Sequence, residues 1–123
     1  MTVKLSHAEV NAFLRSFSER EVSTSFQSLL ASFFQLAEAR LSDSQKLVLR
    51  MSREVLKYRR LTMTALADMV SRRSGIPYST VKWNLRSLKQ IGLLTGGDLK
   101  NKGRFAWLTD EAQMLVEFLE KNL

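Results

Sequence analysis

The chain's one proline stands two residues after one of its five glycines, in Gly75-Ile76-Pro77, and this pair constrains the fold more than any other feature. Glycine adopts the left-handed backbone that ends a helix at little steric cost. Proline cannot continue a helix, but its fixed φ suits the first turn of the next one. The triplet therefore separates two helices by a tight turn. Before it, Leu66, Ala67, Met69 and Val70 recur at helical spacing behind a cap at Thr64, and the segment runs to about Ser74. After it, Val81, Leu85 and Leu88 stand at i, i+4 and i+7 on a helix from Ser79 to about Ile91, which Gly92 ends. So few glycines and prolines in 123 residues imply a mostly helical chain with few long loops. That length is enough for one compact domain overall.

The flanking segments extend the pattern. Ser6 and Glu9 form a capping box ahead of a helix to about Phe17, with Val10, Phe13, Leu14 and Phe17 on one face. Arg20 to Ser25 is polar and reads as a connection. Phe26, Leu29, Leu30, Phe33, Phe34, Ala37 and Leu41 then form an apolar stripe wide enough to be buried on more than one side. Ser42-Asp43-Ser44-Gln45 offers a new cap. Leu47, Val48, Met51, Val55 and Tyr58 give the following helix its apolar face, with Arg50, Arg53, Lys57, Arg59 and Arg60 on the other side. Leu61-Thr62-Met63 is a short extended segment. Leu93-Leu94-Thr95 and Arg104-Phe105-Ala106-Trp107-Leu108 read as two strands of a hairpin, with Trp107 in the core. Thr109, Asp110 and Glu111 open a last helix, with Ala112, Leu115, Val116, Phe118 and Leu119 on its apolar side.

Charge is unevenly distributed. Residues 44–109 hold 14 Lys and Arg against three Asp and Glu, a net +11 within a chain of formal net charge +7. Both ends are weakly acidic. A basic centre of this kind attracts polyanions, while the alternative is a merely solvated basic face. Cysteine is absent, which excludes disulfides and thiolate metal sites. His7 has no ligand partner on its helix face, so no metal and no cofactor is expected. The sequence carries no nucleophile motif, phosphate loop or buried carboxylate pair, so no catalytic residue is expected either. The N-terminus does not read as a signal peptide, and no apolar stretch reaches the ~18 residues of a membrane span.

The order helix, short strand, helix, tight turn, helix, basic hairpin, helix resembles the winged helix-turn-helix superfamily, in the style of the MarR, ArsR and PadR regulators. Three stretches carry the resemblance: Thr64 to Ala67, Gly75 to Leu88, and Gly92-Leu93-Leu94. Trp107 to Ala112 is similar to the usual exit from a wing, and the wording Pro77 to Leu85 resembles archaeal members in particular. One departure is the eight-residue offset of Gly75 from Ala67, which implies a second helix about one turn longer than in short bacterial versions.

The resemblance implies a mainly α fold with a small β-hairpin wing. Residues 1–41 would be an N-terminal helical extension, 42–109 the winged helix-turn-helix and 110–123 a C-terminal helix. It also implies duplex DNA as partner, through the helix that begins near Ser79. With Val81, Leu85 and Leu88 facing the core, Ser79, Thr80, Lys82, Trp83 and Arg86 face outward, as a major-groove reader requires. Arg86 suits bidentate contact with guanine, Lys82 a phosphate, and Ser79 and Thr80 a phosphate at the helix N-terminus. Trp83 and Tyr78 are equally compatible with packing. Arg72 and Arg73 either approach the backbone or stay solvated. Lys100, Lys102 and Arg104 on the hairpin suit phosphate or a minor groove, unless the loop is simply solvated.

The aromatic stripe of residues 26–41 either completes the core or pairs with the last helix in a homodimer, the reading preferred here. The function expected is a dimeric, cytoplasmic, nucleoid-associated transcription regulator with no membrane partner. The alternatives are a protein–protein module of a larger transcription or chromosome complex, and a non-specific chromatin protein.

Overall fold

The computed structural model describes residues 19–97 and 104–121, with side chains from residue 24 onward. The helix expected over Ser6 to Phe17, together with His7, lies outside the described residues. The chain divides into two compact units, Met1–Ala37 and Glu38–Leu123.

Helix α1, Glu19–Arg40, accounts for the described part of the first unit. It runs straight through Arg20 to Ser25, where a connection was expected. Polarity alone does not break a helix, and this stretch contains neither glycine nor proline. Of the expected stripe, Leu30, Phe33, Phe34 and Ala37 are partly covered, whereas Phe26 and Leu29 are about half exposed, as is Leu36. Leu41, the last residue of the stripe, is buried, so among the described residues the stripe is covered only in part.

The second unit takes in the last residues of α1 and continues with α2, Asp43–Leu56. Its start is held by a reciprocal cap: the Gln45 N–H donates to Ser42 Oγ at 3.0 Å, and the Ser42 N–H donates to Gln45 Oε1 at 2.9 Å. The buried face is Val48, Leu49, Ser52 and Val55. It is rotated from the expected one: Leu47 is exposed, and Tyr58 is 77% exposed because the helix has ended before it. Residues beyond Leu56 cross to the hairpin, where the Leu61 carbonyl accepts the Ala106 N–H at 2.7 Å.

Helix α3, Met63–Ser74, is capped by Thr62 rather than Thr64. Thr62 is extended, pairs antiparallel with Phe105, and accepts the Ala65 N–H on its hydroxyl at 3.2 Å. The extended segment and the cap thus share one residue. Gly75 ends α3 at φ 77°, its N–H donating to the Ser71 carbonyl at 2.9 Å. Two serines brace the turn that follows. Ser71 Oγ donates to the Ile76 carbonyl at 2.6 Å, and the Ile76 N–H donates to Ser74 Oγ at 3.0 Å. Helix α4, Tyr78–Gln90, follows Pro77 and packs against both α2 and α3.

Strands β1, Leu94–Thr95, and β2, Trp107–Leu108, form an antiparallel pair with Leu94 opposite Leu108 and Thr95 opposite Trp107. Helix α5, Asp110–Lys121, starts where the Ala112 N–H donates to Thr109 Oγ1. Arg53 ties α5 to α2 through Gln113 at 2.9 Å, Glu117 at 3.3 Å and Glu120 at 3.4 Å. It was expected on the side of α2 opposite the apolar face, and its side chain is 20% exposed.

The core of this unit is Val48, Leu49, Leu66, Val70, Val81, Leu88, Leu94, Leu115 and Val116, all essentially inaccessible to solvent. Ser52 lies among them, and its hydroxyl has no hydrogen-bond partner. A buried unpaired hydroxyl opposes folding, so Ser52→Ala should leave stability unchanged or raise it by about 1 kcal/mol. Gly75→Ala meets no atom within 4 Å, so its cost is backbone strain alone. That cost is about 1 kcal/mol, or roughly 4 °C in melting temperature. Thermal unfolding of the two variants checks both expectations, and a larger loss for Ser52→Ala than for Gly75→Ala would contradict them.

Candidate nucleic-acid interface

The outward face of α4 follows from its inward one. Val81, Leu85 and Leu88 are 0–3% exposed and fix the rotation of the helix about its axis. Tyr78, Ser79, Thr80, Lys82, Trp83 and Arg86 then fall on the solvent side, all exposed. Trp83 is 65% exposed, which answers the question the sequence left open: its ring is not packed into the core. Asn84 adds a restraint that the periodicity does not show. Its Nδ2 donates to Ser44 Oγ at 2.7 Å, tying the middle of α4 to the first turn of α2.

Two cations lie over aromatic rings on this face. The Lys82 ammonium stands 5.6 Å from the Tyr78 ring centroid, and the Arg86 guanidinium 5.7 Å from that of Trp83. Spacings of four and three residues bring these pairs together on a helix. Each exposed contact contributes about 0.5–1 kcal/mol and leaves the charge open to solvent. No carboxylate occurs anywhere in α4, and no side chain caps its N-terminus. The first backbone N–H groups and the positive end of the helix dipole thus face the same way as Ser79 and Thr80. The surface offers hydroxyl, ammonium, guanidinium and aromatic groups to an anionic partner, with no acidic side chain on the helix to repel it.

Three of the remaining expected residues lie among the described ones. Arg72 and Arg73 are exposed at the end of α3, and Arg72 is paired with Asp68 at 3.1 Å. A pair this exposed is worth less than about 1 kcal/mol and exchanges readily. Arg104 is exposed at the base of the hairpin. Lys100 and Lys102 lie outside the described residues. Among the described residues, no group of three or more His, Cys, Asp or Glu could hold a metal ion, and no helix is long and apolar enough to cross a membrane.

Trp107 is a correction. Expected in the core, it is 65% exposed. Strand residues alternate between faces, and the buried pair Leu94 and Leu108 sets the parity. Ala106 and Leu108 therefore point inward, while Phe105 and Trp107 point out. Ala106 sits close under Gly96, where an added Cβ would lie 3.1 Å from the Ala106 Cα, so this inner position takes a small residue. The small Ala106 between Phe105 and Trp107 carried this signal, but apolar bulk outweighed it in the sequence reading.

No protein-family model and no curated protein matches the chain. Among solved structures it is similar to Staphylococcus aureus MarR, described in complex with salicylate and kanamycin, at 21% identity and a TM-score of 0.51. The similarity covers 94% of this chain and 71% of that one. The fold is a MarR-like winged helix, mostly helical with a two-stranded antiparallel hairpin. The archaeal resemblance of the Pro77 to Leu85 wording finds no counterpart there.

The two sides of the domain should respond differently to truncation. Leu88→Ala, in the core, should cost about 2–5 kcal/mol. Trp83→Ala and Trp107→Ala should each change stability by no more than about 1 kcal/mol. Urea denaturation monitored by circular dichroism separates these classes, and a core-sized loss for Trp107→Ala would restore the sequence expectation.

Proposed function

We propose that the protein is a transcription regulator that binds duplex DNA with α4 in the major groove. The observation that carries this reading is the one-sidedness of α4: an apolar face anchored in the core, and an opposite face of hydroxyls and cations with no carboxylate on the helix. The winged-helix fold supports it. In this reading Arg86 contacts guanine, Lys82 a phosphate, and Ser79 and Thr80 a phosphate beside the helix N-terminus. Tyr78 and Trp83 hold the two cations and contact sugar or base. Arg72, Arg73 and the wing residues Lys100, Lys102 and Arg104 contact flanking backbone. The protein acts without catalysis, in the cytoplasm, on the nucleoid.

The regulator works as a homodimer through its terminal helices. Support comes from the apolar surface left open on α1 at Phe26, Leu29 and Leu36. A two-fold dimer would set two reading helices about 34 Å apart and select a roughly palindromic site.

Trp83 favours one other reading. An exposed tryptophan can anchor a protein interface, which would make the domain a protein–protein module of a larger complex. A partner that co-purifies and survives nuclease treatment would support that reading over DNA binding.

Lys82→Ala with Arg86→Ala should weaken binding to DNA selected from a random pool by at least about a hundredfold. The logarithm of affinity should fall linearly with that of salt concentration, and less steeply in the double variant. Gel-shift titration measures both, and unchanged binding by the double variant would remove α4 as the reader. Light scattering should give twice the monomer mass at micromolar concentration. A monomer at high micromolar concentration would overturn the dimer.

A further inference from the structure

A second basic surface lies away from the outward face of α4. The end of α2, the crossing segment that follows it and the outer face of the hairpin enclose a groove of about 990 Å³. Among the described residues, no carboxylate lines it. Arg53 and Lys89 reach it but are engaged, Arg53 with Glu117 and Glu120, and Lys89 with the Gly96 carbonyl at 3.1 Å. Lys57, Arg59, Arg60 and Arg104 also line it, and none of them has an acidic partner among the described residues. Between these cations stand Phe105 and Trp107, 53% and 65% exposed. The parity of β2 forces both rings outward.

A folded domain leaves two large aromatic rings in water at a cost, and here they stand in a trough whose described lining holds cations and no carboxylate. That pairing has a chemical counterpart in single-stranded nucleic acid. Its phosphates follow a positive groove while its unpaired bases stack on aromatic faces. Duplex DNA supplies the phosphates but keeps its base faces stacked inside. We infer that this groove binds a single-stranded nucleic acid segment, with bases on Phe105 and Trp107 and backbone along Lys57, Arg59, Arg60 and Arg104. The inference does not depend on α4 as a duplex reader, because α4's exposed reading residues do not line the groove.

The chain has two tryptophans, so Trp83→Phe leaves Trp107 as the sole indole reporter. Oligothymidylate and oligouridylate about twelve nucleotides long, titrated into the full chain, should quench its fluorescence saturably. The stronger quencher identifies DNA or RNA as the preferred source. Followed by anisotropy of labelled oligomer, Trp107→Ala should weaken binding about tenfold and Trp107→Phe only slightly. Arg59→Glu with Arg60→Glu should weaken it at least about tenfold and flatten its salt dependence. Lys82→Ala with Arg86→Ala should leave it intact while reducing duplex binding, which separates this site from α4. An unchanged melting temperature shows that each variant is folded. The proposal is overturned if neither oligomer quenches, or if the Lys82 and Arg86 variant abolishes the quench. It is also overturned if an acidic peptide or a small aromatic carboxylate quenches while the oligomers do not.

Discussion

The burial of three side chains, Val81, Leu85 and Leu88, underlies the rest of the winged domain. Each contributes about 1.5–3 kcal/mol on leaving water. Together they fix both the position of α4 against α2 and α3 and its rotation. Rotation is the functional quantity. One residue of slip turns a helix by about 100° and would carry Lys82 and Arg86 away from their common face. Asn84 adds a polar bond to Ser44, and the direction of such a bond restricts rotation in a way that apolar contact alone does not.

Around this seam the domain uses short, local devices to hold its elements. The Gly75 turn reverses the chain in three residues, with two serine hydroxyls taking up its polar groups. Thr62 ends an extended segment, pairs with the hairpin and caps α3 at once. Arg53 crosses to three acceptors on α5, which supplies directional bonds between helices that also share an apolar face. Leu94, Ala106 and Leu108 line the inner side of the hairpin. Its outer side carries Phe105 and Trp107.

Much of the fold was legible along the chain. The Gly75 and Pro77 stops, the cap within Ser42 to Gln45, the three-residue seam of α4 and the Thr109 start of α5 are all local signals and appear where expected. The outward residues of α4 follow from its inward ones by periodicity. Three of the misreadings share a cause. Thr64 in place of Thr62, a core Trp107 and an apolar Tyr58 each come from residue type where a neighbour in space decides, whereas the connection at Arg20 to Ser25 comes from taking polarity for a helix break. Thr62 is chosen by its bridge to Phe105, and Tyr58 is exposed because the chain must leave α2 to reach the hairpin.

The sequence by itself determined the turn at Gly75 and Pro77, where α2 and α5 begin, which face of α4 carries charge, and that positive charge concentrates between residues 44 and 109. These are properties of neighbours along the chain, within reach of backbone stereochemistry and a period of 3.6 residues. Only the tertiary structure decided which side of the hairpin faces water, that Arg53 is spent on α5, and that Lys57, Arg59, Arg60 and Arg104 share one groove with two exposed rings. These depend on strand parity and on distances between segments about fifty residues apart. Hydrophobic type biases which residues are buried, but it does not say which of two apolar residues wins a place when the core has room for only one.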